Sequence, residues 1–389
     1  MKNEKAVILP GATLGVMGGG QLGRMFAHAA QRMGYFTAVL DPDADSPAGL
    51  VSHHHIHTDY LDSDGLGRLA QLCAAITTEF ENVPARALET LAAQRPVAPG
   101  ADAVAIAQDR AREKAHFTRC GVPCAPHALI ETREQLAAVT DDLLPGVLKT
   151  SRLGYDGKGQ LRVKTREELT AAWDELKHVA CVLEKLLPLA AECSVIVARG
   201  RDGQVVNLPP QLNLHRGGIL AVTEVHEGNL PPARAAEAVA SARAIAEGLQ
   251  YVGVLCVEFF VLADGSLVVN EMAPRPHNSG HYSMDACDVS QFDLQVRALA
   301  GLPLTQPRQH SPAVMLNLLG DLWFTHGNDE QTPPWDEVLA LPGTHLHLYG
   351  KQGARKGRKM GHLNITGPTA AAARATALQA AALLGIEAF

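Results

Sequence analysis

The 389-residue sequence predicts an α/β domain, then an α+β region, then a small C-terminal α+β domain. Three observations support this prediction. Short apolar runs alternate with helical patterns over the first hundred residues, which is typical of βαβ units around a parallel sheet. From about residue 145, β-rich runs separated by glycine-containing turns predominate. A stretch containing Pro303, Pro307 and Pro312 then precedes two further strands and an alanine-rich helix.

In the first domain, strands and helices are expected to alternate along the chain. Pro84 fits the first position of a helix that ends near residue 93. The run His53–His57 is expected to form an exposed edge strand without a catalytic role, although alternate histidines would share one face and could bind a metal by chance. Periodicity predicts strands at 14–17, 37–40 and 75–78 and helices at 21–33 and 66–73.

The charged helical stretch from Asp109 to Cys120 marks a change of pattern along the chain. Trp323, Phe324 and Trp335 are expected to pack within the last domain. We place the domains at 1–103, 104–300 and 301–389, with a lid-like subdomain at about 122–188. Further strands are predicted at 147–150, 182–187, 254–262, 266–271, 345–350 and 361–366, and further helices at 166–178, 232–249 and 369–384.

Composition and charge limit the class of function. Lys and Arg total 34 and Asp and Glu 41, and this net charge of −7 without a basic block argues against binding to nucleic acid. No run reaches the length of apolar chain that spans a membrane, and the N-terminal apolar stretch is too short for a signal peptide. Seven cysteines without a Cys-x-x-Cys pair indicate reduced thiols, so we expect a cytoplasmic enzyme with no membrane partner.

The segment Gly18–Gly23 contains the pattern Gly-x-Gly-x-x-Gly between a predicted strand and a predicted helix. Such a turn lets backbone N–H groups and the helix dipole bind an anion. Asp41 ends the next strand, where dinucleotide-binding folds keep a ribose-binding acid, so an NAD(P)-dependent oxidoreductase is one interpretation. The pattern alone is weak, and a tight structural turn or the phosphate of another ligand fits it as well.

A second glycine-rich loop covers residues 154–160, after a strand that contains Lys149. It lacks the Walker A spacing, but its Lys158 and glycines suit a lid over a triphosphate; a surface hairpin is the alternative. Tyr155 and Asp156 add groups that can transfer protons. Further on, the segment 182–187 could present backbone groups to an adenine edge, or could simply be the end of a strand.

Two carboxylates are predicted to face each other across a hairpin. Asp264-Gly265 is the signal of a two-residue type I′ turn, which places Phe260 opposite Val269 and Glu258 opposite Glu271. Like charges in this position are destabilising unless a cation lies between them or one is protonated. The pair therefore predicts a Mg²⁺ site that would also hold nucleotide phosphates, with a solvated pair at a strand end as the alternative.

The hairpin is followed by an irregular loop with two prolines and a glycine, residues 272–281. Arg275 in this loop offers a fork of donors for anions. His277 and His281 are either titrating groups or hydrogen-bonded structural histidines, and the sequence leaves both open.

Taken together, these segments resemble the ATP-grasp superfamily, and more narrowly the N5-carboxyaminoimidazole ribonucleotide synthetase family of purine biosynthesis. The resemblance runs from about Gly15 to the C-terminal helix. It implies a Rossmann-like N-terminal domain, a two-lobe ATP-grasp region and a small C-terminal domain. The most specific segments are 18–25, 78–84, 154–160, 270–281, 349–351 and 357–362.

The resemblance implies a ligase that carboxylates 5-aminoimidazole ribonucleotide (AIR) with bicarbonate through carboxyphosphate, with ATP as co-substrate, Mg²⁺ as cofactor and a homodimer as the assembly. It implies that Glu258 and Glu271 hold Mg²⁺ and that the first glycine turn holds the ribonucleotide phosphate rather than NAD. Implied ATP contacts are Arg110, Lys149, Gly154, Tyr155, Asp156, Gly157, Lys158, Gly159, Gln160, Glu184, Lys185, Leu186, Leu187, Glu192, His215, Asn270 and Glu271. Implied contacts to AIR or bicarbonate are Gly20, Gln21, Leu22, Glu79, Tyr155, Asp156, Arg275, Lys351 and Arg358, with Asp156, Tyr155 and Arg275 catalytic.

One position departs from the family pattern. Related carboxylases place Asn two residues after the second metal glutamate, where this chain has Ala273. Water or phosphate oxygens would then complete the metal shell, which Mg²⁺ tolerates.

Three other functions are weighed against this one. A formyl-phosphate-type transformylase of the same superfamily is disfavoured by the segment from Lys351 to His362, which matches the carboxylase better. The NAD(P)-dependent oxidoreductase leaves the second glycine loop and the carboxylate pair unexplained. A non-catalytic ATP-binding regulator is disfavoured because both metal carboxylates and the lid sequence are present.

Overall fold

The structure is a computed structural model that describes residues 7–152, 154, 159–325, 327 and 329–389. Three β-sheets organise this part of the chain: a parallel sheet, a small antiparallel sheet and a large antiparallel sheet. Among the same residues, no helix combines the length and the apolar character that crossing a membrane requires. The predicted lid residues 155–158 lie outside the described residues.

The N-terminal sheet is parallel, as the sequence predicts, with the strand order β3-β2-β1-β4. The His53–His57 run supplies its edge strand. Pro84 caps the third helix instead of starting it. Because the strands are parallel, the segments that follow β1 and β4 meet at the same edge of the sheet. The elements are β1 (Thr13–Met17), α1 (Gln21–Arg32), β2 (Phe36–Asp41), β3 (His54–His57), α2 (Ser63–Leu72), β4 (Ala75–Thr78) and α3 (Ala85–Ala92).

Two consecutive helices connect this sheet to the rest of the chain. The first, α4 (Ala101–Ala107), was not predicted; the second, α5 (Arg110–Arg119), was. Asp109 caps α5 by accepting the N–H groups of the second and third helical residues, which satisfies two donors that the helix leaves free. The first turn of α5 therefore has a fixed position, and α5 packs against the strand Leu267–Ala273 of the large sheet.

The small antiparallel sheet has the order β5-β8-β6-β7 and is covered by two helices. Its core is built around Trp173, Leu148 and Leu183. The hairpin between β6 and β7 carries the second glycine-rich loop. The elements are β5 (His127–Ile130), α6 (Arg133–Ala138), β6 (Gly146–Thr150), β7 (Gln160–Val163), α7 (Arg166–Glu175) and β8 (Cys181–Lys185).

The large sheet has the order β14-β13-β9-β11-β12-β15-β17-β16, with β10 paired to β9. It continues from the central region into the C-terminal strands, because Val222 on β12 pairs with Leu316 on β15. Strand β15 and helix α10 were not predicted. The strands are β9 (Leu189–Arg199), β10 (Val205–Asn207), β11 (Gln211–Arg216), β12 (Ile219–Val225), β13 (Gly253–Leu262), β14 (Leu267–Ala273), β15 (Ala313–Leu319), β16 (Thr344–Leu348) and β17 (Lys359–Thr366), and the helices are α8 (Pro232–Gly248), α9 (Ser283–Ala286), α10 (Gln291–Ala300), α11 (Trp335–Leu339) and α12 (Ala370–Leu384).

The two faces of β13 pack into different cores, as the two-residue period of a strand requires. Leu255, Val257 and Phe259 pack into one core together with α8. Cys256 packs into the core on the opposite face. Glu258 is the next residue on the face of Cys256.

The hairpin between β13 and β14 differs from the prediction in its turn. The loop has three residues, because Leu262 pairs by backbone hydrogen bonds with Ser266 and Gly265 adopts the left-handed conformation with a φ of +80°. Phe260 consequently faces Val268, so the predicted pairing with Val269 was wrong. A β-bulge that leaves Asn270 unpaired then restores the register, and Glu258 faces Glu271 as predicted.

Candidate active site

A cleft of about 470 Å³ lies where the three sheets meet. Its polar lining comes from the N-terminal sheet, the start of α5, the small sheet and one end of the large sheet. Sequence-predicted residues that line it are Gln21, Leu22, Glu79, Arg110, Lys149, Gly154, Gly159, Gln160, Glu192, His215, Glu258, Asn270, Glu271 and Arg275. The structure therefore brings together most of the described residues that the sequence assigned to ATP, metal and AIR.

The first glycine turn contacts carboxylates of its own chain. Gly20 and Gly23 donate their backbone N–H groups to the two oxygens of Glu79, at 2.9 and 3.0 Å. Gly19 donates to Asp41 at 2.6 Å, and Tyr60 donates its hydroxyl to the same carboxylate. A phosphate bound to the Gly20 and Gly23 amides would have to displace Glu79, so these bonds argue against the predicted phosphate position. They also engage the acid that the NAD(P) interpretation needs for a ribose.

Burial raises the pKa of Glu79, and the hydrogen bonds from Gly23 and Gly20 oppose this rise. Since Gly20 and Gly23 donate to it, the Glu79 carboxylate lies at the N-terminus of α1, where the helix dipole favours negative charge. Glu79 reaches the cleft from the end of β4, as the meeting of parallel strand ends predicts.

A buried glutamate between two lysines forms the wall toward the small sheet. Glu184 on β8 pairs with Lys114 on α5 at 3.1 Å and with Lys149 on β6 at 3.0 Å. Burial raises the pKa of Glu184, but Lys149 and Lys114 outweigh burial and lower it to about 2. Lys149 faces the cleft and Glu184 lies behind it, so the direct contact of Glu184 with ATP stays a prediction.

Two side chains in the first turn of α5, one positively charged and one acidic, form hydrogen bonds to β14. Arg110 donates to Glu271 at 3.1 Å, and Glu113 accepts the backbone N–H of Met272 at 2.7 Å. Burial is the main cause that raises the pKa of Glu113 to about 8. These contacts join the helix to the strand that carries the predicted metal ligand. The sequence missed Glu113, because its charged helical surroundings look like a solvated surface.

The predicted metal carboxylates lie side by side in the cleft. Glu258 and Glu271 are opposite each other across the hairpin, and both line the cleft. Burial and then the neighbouring Glu271 raise the pKa of Glu258. Burial also acts on Glu271, but Arg110 and Lys149 outweigh it and lower the pKa of that carboxyl. Within the described residues, Glu258 Oε1 has no hydrogen-bond partner.

These oxygens fit a hard divalent cation, because Mg²⁺ prefers carboxylate ligands and keeps its other positions for water or phosphate. Ala273 offers no side-chain ligand, in agreement with the sequence. The bulged residue Asn270 adds a buried amide oxygen that lacks a partner among the described residues. The donor set therefore suits Mg²⁺ held mainly by two glutamates.

On β9 and β11, Glu192 and His215 form an ion pair at the rim of the carboxylate pair. Burial disfavours the charged form of His215, but Glu192 and then Glu258 raise its pKa above the ordinary value. His215 thus brings positive charge close to the two glutamates, and both residues line the cleft as predicted.

Arg275 and His277, in the loop after β14, have different partners. Arg275 pairs with Glu81, which the sequence did not assign to the site. Burial opposes the charge of Arg275, but Glu81 outweighs burial and raises the pKa of Arg275. His277 lines the cleft, and its Nε2 is 3.7 Å from Glu258 Oε1.

His281 has a structural environment outside the cleft. It is fully buried and stacks on His362, with ring centres 4.5 Å apart, and Gln291 Nε2 lies 3.0 Å from its Nδ1. Burial lowers the pKa of His281 well below its ordinary value. Of the two interpretations left open by the sequence, the structure supports a packed, hydrogen-bonded histidine.

The C-terminal segment brings three cations to one side of the molecule. Lys351 donates to the carbonyl of Lys359 at 2.7 Å, and Arg358 donates to the carbonyls of Gln352 and Gly353. Lys359 itself lines the cleft, although the sequence assigned Lys351 and Arg358 instead. The signal for Lys359 was present in the segment 357–362, which the resemblance includes.

Several predicted site residues either do not line the cleft or lie outside the described residues. Tyr155, Asp156, Gly157 and Lys158 lie outside the described residues. Lys185, Leu186 and Leu187 follow directly from Glu184 at the end of β8, beside the connection to the large sheet. Gly20 contributes its backbone next to Gln21. The roles of all these residues stay predictions.

Comparison with known families divides the chain into three matched segments. Residues 11–108 match the ribonucleotide synthetase preATP-grasp domain, residues 115–292 the ATP-grasp domain, and residues 313–376 the phosphoribosylaminoimidazole carboxylase C-terminal domain. The large sheet thus contains strands from the second and third of these segments.

Curated relatives match over nearly the full chain. An N5-carboxyaminoimidazole ribonucleotide synthase from Brucella melitensis is 43% identical over 372 residues, which cover 94% of this chain and 99% of the relative. The protein of that name from Bacillus subtilis is 40% identical over 368 residues, with 93% of each chain covered.

Solved structures agree with the sequence relatives. An N5-carboxyaminoimidazole ribonucleotide synthetase in complex with ADP superposes with a TM-score of 0.89 at 39% identity, covering 96% of this chain and 97% of the other. The Aspergillus clavatus enzyme in complex with ADP and 5-aminoimidazole ribonucleotide superposes with a TM-score of 0.86 at 30% identity, covering 98% and 100%.

Proposed function

The chain belongs to the N5-carboxyaminoimidazole ribonucleotide synthase family of ATP-grasp ligases, and we propose how its cleft carries out the ATP-dependent carboxylation of AIR in purine biosynthesis. The observation that carries the proposal is the facing pair Glu258 and Glu271 at the junction of the three sheets. An acidic pair that is only partly buried, next to Lys149 and Arg110, suits a metal–nucleotide complex, because each charge type has its counterpart in that ligand.

ATP is proposed to lie between the small sheet and the large sheet. Lys149 and Arg110 would offset phosphate charge, and Asn270 and Glu271 would lie beside the phosphates. Glu258 and Glu271 would hold Mg²⁺, which when bound supplies positive charge against the phosphate oxygens. The remaining proposed ATP contacts are Gly154, Tyr155, Asp156, Gly157, Lys158, Gly159, Gln160, Glu184, Lys185, Leu186, Leu187, Glu192 and His215.

The reaction begins with bicarbonate, which is a poor electrophile. A bicarbonate oxygen attacks the terminal phosphorus of ATP, ADP leaves, and carboxyphosphate forms. Carboxyphosphate breaks down to CO2 and phosphate, and the amine of AIR attacks CO2 and loses a proton. Lys149 and Arg275 would stabilise the negative charge that develops on the phosphoryl group and on bicarbonate. Glu81 supports this role because its ion pair with Arg275 fixes the guanidinium at the cleft wall.

We propose that AIR lies toward the N-terminal sheet. Gln21, Leu22 and Glu79 from the N-terminal sheet line the cleft, and so does Arg275, which pairs with Glu81 after the same strand. Because the Gly20 and Gly23 amides donate to Glu79, the AIR phosphate is assigned to the cations of the C-terminal segment, Lys351 and Arg358, joined by Lys359. This position is favoured over the glycine turn because the phosphate is negatively charged and these three side chains are positively charged.

Asp156 is proposed as the general base that takes the proton of the AIR amine, with Tyr155 orienting it, and the loop 154–160 as the lid that keeps water from carboxyphosphate. These assignments come from the sequence. The Asp156→Asn variant is expected to retain ATP binding through the other proposed contacts and to lose carboxylation. Normal turnover by this variant would remove Asp156 from the mechanism.

The experiment that tests the function measures ADP formation from Mg-ATP with five additions: none, bicarbonate, AIR, both together, or AIR with formate. We expect ADP release that depends on AIR and rises with bicarbonate, with the carboxylated ribonucleotide as product. Dependence on formate would point to the transformylase instead. A folded protein that binds ATP but releases no AIR-dependent ADP would contradict the substrate assignment.

We also propose a homodimer that works in the cytoplasm. Support for the compartment comes from the seven cysteines, all of which are free thiols. A reducing compartment keeps thiols in this state. Light scattering of the purified chain tests the assembly, and a monomer at assay concentration would contradict it.

A further inference from the structure

Three side chains with metal-binding atoms meet beside the carboxylate pair: Cys256, Glu258 and His277. One ligand atom from each lies within 4.8 Å of the other two. Cys256 and Glu258 project from the same face of β13, because they are two residues apart on a strand. His277 approaches from the loop after β14, with Nε2 at 3.7 Å from Glu258 Oε1. The cluster therefore depends on a regular strand and a buried loop.

A serine lies behind His277. Ser279 Oγ lies 2.9 Å from His277 Nδ1. Burial raises the pKa of the Cys256 thiol, and Ser279 opposes this rise. Ser194 donates its hydroxyl to Ser279 at 2.8 Å and so fixes it. Contacts of this kind behind the ligands are typical of metal sites, where they orient the ligand atoms. With Nδ1 engaged by Ser279, the Nε2 atom of His277 is left to bind a cation.

The charge around the cluster also favours a cation. Glu258 Oε1 has no hydrogen-bond partner among the described residues, and Glu271 adds a second carboxylate next to it. Of the cations that act on His277, Arg275 is paired with Glu81 and His215 with Glu192, and Lys359 is the third. A cation at the cluster would thus face two carboxylates, two positive groups that are already paired with acids, and Lys359.

The ligand types decide which cation fits. Thiolate, imidazole and carboxylate together suit Zn²⁺ and similar thiophilic cations, whereas Mg²⁺ prefers oxygen alone. Zinc binds sulfur at about 2.3 Å and nitrogen at about 2.0 Å, so the three ligand atoms would have to close by about 1 Å. Because Glu258 and His277 line the cleft, the fourth position would be open to water or phosphate.

We propose that Cys256, Glu258 and His277 form an inhibitory binding site for Zn²⁺ or another thiophilic divalent cation. Binding releases the thiol proton of Cys256 to solvent and leaves the thiolate on the cation. The cation takes Glu258 away from Mg²⁺, so ATP turnover stops. This inhibition rests on the proposed function of the cleft, whereas binding of the cation does not.

Binding is tested with Co²⁺ as a probe, titrated into the purified full chain without nucleotide. Coordination by Cys256 gives a thiolate-to-cobalt charge-transfer absorption. The Cys256→Ala variant should lack this absorption, and Cys287→Ala, which removes a second buried cysteine of the same core, should keep it. Absorption of equal strength in the wild type and in Cys256→Ala would overturn the proposal.

Inhibition is tested by adding Zn²⁺ to the ADP-formation assay at fixed Mg-ATP. The Cys256→Ala variant should need at least about 100-fold more Zn²⁺ for the same inhibition, because the loss of a ligand costs at least as much as the loss of a side chain that supports one. More free Mg²⁺ should weaken the inhibition of the wild type, and a chelator should reverse it. Equal sensitivity of the wild type and Cys256→Ala to Zn²⁺ would overturn the inhibitory role.

Two further comparisons keep the test decisive. If Cys256→Ala folds poorly, Cys256→Ser replaces it, because serine is close to cysteine in volume but binds Zn²⁺ weakly. If the cobalt absorption depends on Cys256 in a protein that shows no AIR-dependent ADP release, the proposed function fails and the metal site stands. The Ser279→Ala variant should weaken Co²⁺ binding about 10-fold, and unchanged binding would contradict the support role of Ser279.

Discussion

Two glutamates at the cleft have opposite surroundings: Glu184 is buried behind the wall, and Glu258 lies in the lining. Glu184 lies between Lys114 and Lys149, at 3.1 and 3.0 Å, and these cations outweigh burial and lower its pKa to about 2. Glu258 faces another carboxylate, and burial together with Glu271 raises its pKa. The fold neutralises the first acid itself and leaves the second short of positive charge. A buried acid of the second kind is the better marker of a ligand site.

The difference follows from which elements face each strand. Lys114 of α5 is fully buried and contacts Glu184 of β8, so Glu184 serves as its counterion. β13 faces β14 across the hairpin, and the bulge at Asn270 sets the two glutamates opposite each other. The same residue type on two strands is therefore a structural partner in one place and a proposed metal ligand in the other.

The largest expected effect is on stability, from Glu184→Gln. This change leaves Lys114 buried without its counterion, and breaking a buried ion pair by removing one partner costs about 3–5 kcal/mol. Urea unfolding of the metal-free protein measures the loss, with Glu258→Gln as the matched control that should show none. A loss below about 1 kcal/mol in Glu184→Gln would contradict the contrast between the two sites.

The next effect is on activity, from Glu258→Gln. Because a proposed Mg²⁺ ligand is removed, AIR-dependent ADP formation should fall at least about 100-fold, which corresponds to about 2.7 kcal/mol of activation free energy. Steady-state assays at saturating Mg-ATP measure the fall. If Glu258→Gln retains most of the wild-type rate, the pair is not the metal site.

Per pH unit, the smallest effect is the pH dependence of stability without metal. A carboxyl whose pKa is raised by folding stabilises the folded state when protonated, so its contribution is lost as the pH rises from its ordinary value of 4.5 through its raised value. Relative to Glu258→Gln, the wild type should lose up to about 1.4 kcal/mol of unfolding free energy per pH unit in this window.

The same unfolding curves carry their own control. Added Mg²⁺ should remove the pH-dependent loss in the wild type, because the cation replaces the proton between the carboxylates. Parallel pH profiles for the wild type and Glu258→Gln would show that Glu258 is not strained by its neighbour.

Local patterns predicted much of this fold. Alternating strands and helices predicted the N-terminal sheet, and periodicity predicted α8 and α12 within one residue at each end. The pairing of Glu258 with Glu271 was also predicted, but with the wrong turn: the longer loop and the bulge at Asn270 compensate each other. Neither irregularity has a distinct signal in a sequence that already shows Asp-Gly at the turn.

The partners of the site residues could not be predicted in the same way. Lys114 and Glu184 are 70 positions apart, and Glu81 and Arg275 are 194 apart, so only the tertiary fold brings them together. A charged stretch such as 109–120 has the pattern of a solvated helix. Local sequence patterns therefore do not predict its contacts with two sheets. The hydrogen bonds from the Gly20 and Gly23 amides to Glu79 form because the ends of β1 and β4 lie side by side. The sequence did not predict them for the same reason.

The most direct test of the account is a Mn²⁺ titration of the protein with ADP, followed by electron paramagnetic resonance, in the wild type and in Glu258→Gln. If the unbalanced carboxylate pair is the metal site of the ligase, Glu258→Gln should bind Mn²⁺ at least about 10-fold more weakly than the wild type. Equal Mn²⁺ affinity in the two proteins would contradict the central claim that Glu258 and Glu271 hold the metal of the nucleotide complex.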